Sequence, residues 1–312
     1  MNELSLFLQL SVQLGTPFLL GTLGGILCEK VGNLNLGIEG MMILGAFSGF
    51  AAGFHTHSVL LAVLAAMAGG VGGALIYAVI TVTLKGNQTV TGFALTIFGT
   101  GFANFMGKRY SSQIMDSAVT AALGTHSIPG LSKIPVLGTA VFSQSLFVYF
   151  SILVAAVLCF YYQKTRFGLA ARMVGESPAT ADASGINVDA CKYVHILIGG
   201  ALCGLGGAYL SLVYVPYWQD NITAGIGWIA VALVIFSGWH PAKAVLGCYL
   251  FGVKFQGVSF SVLGLKVSIA SQVMDMIPYI LTIVVLVFAA STTKNRSVGP
   301  AGVGKSYFRE DR

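Results

Sequence analysis

VLLAVLAAMAGGVGGALIYAVITVTL, residues 59–84, contains no charged side chain from Val59 to Leu84. A helix rises 1.5 Å per residue, so about 20 such residues cover the roughly 30 Å hydrocarbon core of a bilayer. The rest of the chain has the same character: 55% of its 312 residues are hydrophobic and 9% charged, against about 25% charged in a soluble domain. Its 40 glycines suit helices that pack backbone to backbone, since lipid tails supply no hydrophobic drive for association.

Working outward, apolar runs recur near 5–27, 36–54, 58–84, 88–106, 144–163, 193–215, 224–239, 241–260 and 272–290. They predict an all-α, polytopic membrane protein of about eight to ten transmembrane helices. The transmembrane domain takes in 1–292, with a cytoplasmic segment at 164–192, and a cytoplasmic tail follows at 293–312. No Lys or Arg precedes Lys30, so the basic region of a secretory signal is missing and the first run reads as a retained span.

The net charge of +6 does not form a basic stripe interleaved with aromatics, so no nucleic-acid partner is expected and membrane lipid accounts for the cations. Lys164, Arg166, Arg172 and Lys192 crowd the loop after the fifth run, and Lys294, Arg296, Lys305, Arg309 and Arg312 crowd the tail. The positive-inside rule places both segments in the cytoplasm, and the four intervening spans agree with that. Counting back puts the N-terminus outside. It also places the loop near 107–143 outside despite Lys108, Arg109 and Lys133; a broken or re-entrant early run would reverse the N-terminus. Cys28, Cys159, Cys191, Cys203 and Cys248 show no C-x-x-C spacing and read as small core residues. Gly70-Val71-Gly72-Gly73-Ala74 echoes Gly204-Leu205-Gly206-Gly207-Ala208, and the same offset pairs Asn87 and Thr89 with Asn221 and Thr223. This is either a possible inverted repeat or coincidence in a Gly/Ala-rich chain.

GPAGVGKS, Gly299–Ser306, satisfies the letters of a phosphate-binding loop. Such a loop lies between a buried strand and a helix. Here it follows an apolar run, with six residues after Ser306, so it reads as a Gly-rich tail. Neither a metal site nor a cofactor is expected in this chain.

TRFGLAARMVGESPATADASGINVDACK, Thr165–Lys192, is the most informative polar stretch. Gly168 to Val174 predicts a short helix that Gly175 interrupts. Ser177 and Pro178 supply an N-cap and first residue for a second helix, which Gly185 ends. A simple connector needs about 2 to 8 residues, so two short helices read either as a docking surface or as an interfacial segment resting on lipid. In the docking reading Arg172 and Glu176 pair with a partner groove while Ala170, Ala171 and Val174 fill it.

The pieces Thr165–Gly168 (TRFG), Arg172–Pro178 (RMVGESP) and Gly185–Val188 (GINV) are similar to the cytoplasmic coupling segment of permease subunits in the branched-chain amino-acid/ribose-type family of ABC importers. GNLNLGIEGMMILGAF (32–47), GIGWIAVALVIFSGWHP (225–241) and the tail GPAGVGKSYFRE resemble further signatures of that family, closest to its nucleoside-importing, guanosine-type permeases. The resemblance implies a multi-pass, non-catalytic subunit of the bacterial cytoplasmic membrane. Its partners would be a second homologous permease, a cytoplasmic ABC ATPase that holds ATP and magnesium, and an extracytoplasmic substrate-binding lipoprotein. Thr165, Arg166, Gly168, Arg172, Gly175, Glu176, Pro178 and Gly185 are the expected coupling residues.

Asn33, Asn35 and Glu39 precede and open the second run. Polar groups at that depth are costly unless they face protein or water, and the alternation with Leu34 and Leu36 predicts broken backbone, tolerated where it is buried or lines a cavity. The three residues read as the wall of a solute path or as caps of the second span. Asn87, Gln88 and Trp228 are the other path candidates, able to hydrogen-bond and stack on a nucleoside, with capping and an interfacial belt as the alternatives. Lys254 falls inside a run with room to snorkel outward, and Asp275 belongs at an interface. An ion-coupled carrier would need buried acids or histidines, of which only Glu39 and His195 stand out. A membrane enzyme would need a nucleophile–base pair or a metal cluster, and neither spacing is present. A permease for branched-chain amino acids or simple sugars remains the alternative solute class.

Overall fold

The computed structural model describes residues 3–127, 141–254 and 299–308, with isolated positions at 280, 283 and 287. In chain order the helices are α1 (Glu3–Lys30), α2 (Ile38–Thr56), α3 (Val59–Ala78), α4 (Gln88–Gly107), α5 (Ser117–Leu123), α6 (Leu146–Lys164), α7 (Arg166–Glu176), α8 (Pro178–Ala183), α9 (Val188–Tyr209), α10 (Ile226–Phe236) and α11 (Pro241–Lys254). One antiparallel hairpin, β1 (Thr125–Ser127) with β2 (Ser143–Ser145), is the sole sheet among the described residues. The fold is all-α and polytopic. Five described helices are long and apolar enough to cross a membrane: α1, α3, α4, α6 and α9.

Burial sorts these helices into an inner and an outer layer. In α1 and α9, 83% of the apolar stretch is buried, against 28% in α3 and α6 and 39% in α4. α2 is wedged among α3, α9 and α4, while α1 carries α9, α10 and α11. Glycine makes this possible at the α3–α9 crossing. A Cβ at Gly204 would meet Ala66 O and lie 3.0 Å from Gly70 Cα. Gly70 approaches both Gly200 and Gly204, so the two echoing segments, on antiparallel helices, meet at their first glycines. Each helix runs on into a π-helical turn, Val79–Thr83 after α3 and Leu210–Tyr214 after α9.

The end of the bundle that carries α7 and α8 takes its label, the coupling end, from the expectation for residues 164–192. α1 and α3 run toward it, whereas α2, α4 and α9 run away from it. The opposite end is closed by main-chain pairing between residues 111–115 and 216–218. Trp218, 1% exposed, lies there against Phe47 and Phe50. Nearby, His57 Nδ1 and Asp116 Oδ2 are 2.5 Å apart.

The run expected to span at 224–239 does not. α10 has 11 residues, about 16 Å at 1.5 Å per residue, half of what a bilayer needs. The chain reaches it from the closed end through left-handed turns at Asn221, Ala224 and Gly225, so α10 begins at depth and runs to the coupling end. Asp275 and nearly all of the run at 272–290 lie outside the described residues, as do Lys133, Lys294, Arg296, Arg309 and Arg312. Lys254 is the last residue of α11.

Candidate functional site

Between α1 and α2 the helix breaks over residues 31–37, as the Asn33/Asn35 alternation predicted. Broken backbone at depth must have its polar groups met by protein, and here side chains of α3 and α4 meet them. Tyr77 Oη donates to Leu34 O at 2.6 Å, Gln88 Oε1 accepts from Leu34 N at 2.7 Å, and Thr96 Oγ1 donates to Leu36 O at 3.2 Å. Asn33 and Asn35 are fully buried. Asn33 Nδ2 donates to Thr81 Oγ1, and Asn35 Oδ1 accepts from Gly37 N, the residue before α2. These amides and Gln88 therefore brace a joint.

Glu39 is the decisive residue of this joint. Its depth follows from Gly40, which packs on Leu95 and Gly99 of α4, about 10 Å along that helix from Gln88. Glu39 does not cap α2. Its Oε1 accepts from Thr223 Oγ1 at 2.5 Å and from Gly225 N at 3.0 Å, and its Oε2 accepts from Gly227 N at 2.6 Å. A carboxylate thus closes the N-terminus of α10, where unpaired N–H groups and the helix dipole favour negative charge. At the other end of α10, Trp239 Nε1 donates to Glu29 Oε2 at 2.6 Å. Glu29 is 1% exposed, so Glu39 is not the sole early acid in the core. Between these ends α10 lies parallel to α1, Gly21 against Ala230 and Gly25 against Val234. Trp228, one turn into α10, is half-buried and faces Phe93 of α4 with ring centroids 5.2 Å apart. Asn87 is exposed and caps α4 through Val90 N.

At the coupling end, Thr165 caps α7 by accepting from Gly168 N at 3.0 Å, and Gly168 lies against Tyr161 O. α7 is not interrupted at Gly175; it continues to Glu176. Gly175 is required by a close approach: a Cβ there would meet the carbonyl of Lys30, at the end of α1, and Pro300. Ala171 and Val174 are buried within the chain, so they are unavailable to a partner groove. The outer face of α7 presents Arg166, Phe167, Leu169, Arg172 and Glu176, with Phe167 78% exposed. Ser177 caps α8, Pro178 opens it, and Gly185 turns the chain at φ +82°. His240, in the turn between α10 and α11, has its pKa lowered by partial burial and by Lys243 and Lys30.

The tail joins this surface. Gly302 N donates to Gly175 O at 2.8 Å, Ala301 N to Glu176 Oε2 at 3.2 Å, and Tyr307 Oη to Asp182 Oδ2 at 3.0 Å. No three of the His, Cys, Asp and Glu side chains among the described residues are grouped to hold a metal.

Residues 8–286 match the family described as branched-chain amino acid transport system, permease component. The chain belongs to this permease family. Three relatives match over almost their whole lengths. The guanosine ABC transporter permease protein NupQ of Bacillus subtilis is 36% identical over 91% of both chains. A provisionally named glucose ABC transporter permease protein of Haloferax volcanii is 35% identical over 97% of both. The nucleoside ABC transporter permease protein NupC of Lactococcus lactis is 32% identical over 99% of this chain and 98% of its own. Among solved structures, a chain of an ABC transporter described as of metal-chelate type, in an inward-facing conformation, superposes with TM-score 0.50 at 12% identity, over 90% of this chain and 85% of that one. That likeness shows the fold.

The chain is thus a multi-pass ABC permease, a subunit type that works with an ATPase and a substrate-binding protein. Sequence reasoning missed Glu29, Tyr77, Phe93, Thr223 and Trp239 of this permease. Only Glu29 left a signal, an acid two residues past the end of the first apolar run. His195 stood out in the sequence and has a structural place, with Nε2 3.0 Å from Tyr161 Oη and Nδ1 2.7 Å from Cys191 O.

Proposed function

We propose that this permease is the membrane subunit of an ATP-driven importer of nucleosides in the bacterial cytoplasmic membrane. It would pair with a second, homologous permease, take solute from an extracytoplasmic lipoprotein at the closed end and meet a cytoplasmic ATPase at α7 and α8. The chain itself carries out no chemistry, and ATP with magnesium belongs to the ATPase. The observation that carries this reading is the seat of α7. Its buried Gly175 touches the end of α1, directly before the broken joint, while its outer face presents Arg166, Phe167, Arg172 and Glu176. A push on that face is delivered to the joint and, through Glu29 and Glu39, to α10.

Two of the relatives are named for guanosine or nucleosides, and the Phe93–Trp228 pair offers aromatic surface at the depth where α10 begins. Base–aromatic stacking is worth about 1–3 kcal/mol, so this pair, rather than the buried amides of Asn33, Asn35 and Gln88, is proposed to line the path. The name of the Haloferax relative makes a sugar the second reading. The test is ATP hydrolysis by the complex reconstituted with its ATPase and lipoprotein, in the presence of guanosine, glucose or leucine. Guanosine stimulation, with slower uptake after Trp228→Ala, supports the proposal. Stimulation by glucose alone transfers the assignment to sugars, and an ATPase that does not associate overturns the importer reading.

A further inference from the structure

The segment Gly299–Phe308 touches four parts of the coupling end that are far apart in sequence. Gly299 lies on the ring of Trp239, which holds Glu29. Ala301 and Gly302 bond to Glu176 and Gly175 at the end of α7. Lys305 O accepts from Gln88 Nε2 at 3.4 Å, and Ser306 Oγ donates to Lys85 O at 3.2 Å, on either side of the α3–α4 turn. Tyr307 then reaches Asp182 of α8. The same Gln88 accepts from Leu34 N with its other amide atom, so a continuous run of bonds leads from α7 through the tail and Gln88 into the broken joint.

We infer that Gly299–Phe308 is a strap that transmits displacement of α7 and α8 to the joint, with Gln88 as the positioning residue where strap and joint meet. The inference rests on the proposed coupling to an ATPase and adds a second route beside the direct Gly175–Lys30 contact. Three features of the sequence suit the role. Gly302 lets the strap lie on α7, because a Cβ there would come within 2.6 Å of Gly175 O. Gly304 adopts φ +82°, which glycine takes without strain. The Lys305 side chain is exposed, while its carbonyl accepts from Gln88 and its N–H donates to Gly302 O, so the main chain, and not the lysine side chain of the phosphate-loop pattern, holds the strap.

The test uses the reconstituted complex with three changes in the permease: deletion of residues 299–312, Gly302→Val, and Tyr307→Phe as a mild variant that keeps the ring. Four quantities are read: ATPase retention in pull-down, basal ATP hydrolysis, solute-stimulated hydrolysis, and uptake. Coupling free energies between sites correspond to factors of about 5 to 150. The expected result is therefore at least a roughly fivefold loss of stimulation and uptake in the deletion and in Gly302→Val, and a smaller loss in Tyr307→Phe, with pull-down and basal hydrolysis retained. Wild-type stimulation in the deletion and in Gly302→Val overturns the strap. Loss of ATPase retention also overturns it, because the tail would then be part of the docking surface. Failure of the wild-type complex to respond to any solute strikes the importer reading instead.

Discussion

Glu39→Gln separates a cap from a path wall, because the two roles respond differently to the loss of one oxygen. The carboxylate accepts three hydrogen bonds, two of them from the backbone N–H groups of Gly225 and Gly227. A carboxamide has one acceptor oxygen. If that oxygen faces Gly227, the NH2 group faces Gly225 N–H; if it faces Gly225, the NH2 group faces Gly227 N–H. Thr223 escapes in either case, since its hydroxyl can turn and accept. Each orientation therefore leaves one backbone donor unmet, the buried Gly227 N–H or the half-buried Gly225 N–H, at a cost of up to about 1–3 kcal/mol. Glu39→Ala leaves both unmet, roughly doubling that cost. The penalty falls on the start of α10 and is independent of solute. Thermal unfolding of the purified permease without solute should therefore rank wild type above Glu39→Gln above Glu39→Ala, and uptake of every transported solute should fall by a similar factor. If both variants unfold like wild type while uptake of one solute falls selectively, the capping argument is refuted and Glu39 belongs to the path.

Gly204→Leu should abolish the monodisperse peak in detergent size-exclusion chromatography, because its side chain would enter the space of Ala66 O and Gly70 Cα; Gly72→Ala, with nothing within 4 Å, should keep the peak and raise stability by up to about 1 kcal/mol through helix propensity. At the closed end, the Asp116 carboxyl is held below its ordinary value of 3.8, first by the N–H of Ala118 and then by His57. A depressed carboxyl stabilises the fold above its unfolded pKa and loses that contribution as pH falls through the folded one, so the protection of the Ala118 amide, its exchange by mass spectrometry normalised to the intrinsic rate at each pH, should fall only below about pH 4.

The layered bundle was legible because its cause is local. Long uncharged runs read as helices in lipid, and abundant glycine foretold close helix packing, although the Gly70 and Gly204 segments read as an echo and not as a crossing. The start of α10 was not legible. Residues 224–239 have the same apolar composition whether they span or stop halfway, and the difference is made by left-handed φ values at Asn221, Ala224 and Gly225 and by a carboxylate 186 residues away. The same holds for Gly175. A glycine near the end of a short polar helix reads as a breaker by propensity, but it is kept helical by tertiary contact with Lys30 and Pro300, and no local pattern reports that contact.

The site was legible in residue types more than in roles. Asn33, Asn35, Glu39 and Gln88 drew attention because polar groups at depth are costly, and internal hydrogen bonds meet that cost for all of them except the Asn33 Oδ1 atom, which is buried without a partner among the described residues. Those bonds bear on motion. To turn as an independent rod, α10 must break three bonds to Glu39 at one end and the Trp239–Glu29 bond at the other. To move with α1 and α2 it need break none of them, since Glu29 and Glu39 stand on either side of residues 31–37. At about 0.5–1.5 kcal/mol for an ordinary hydrogen bond and about 1.5–3 for one to a charged acceptor, losing all four together strongly disfavours the independent motion. Any displacement that reaches the joint from α7, directly through Lys30 or along Gly299–Phe308 and Gln88, therefore carries α10 and Trp228 with it, and where α4 does not follow, the Phe93–Trp228 pair opens together with the Gly40–Leu95 packing.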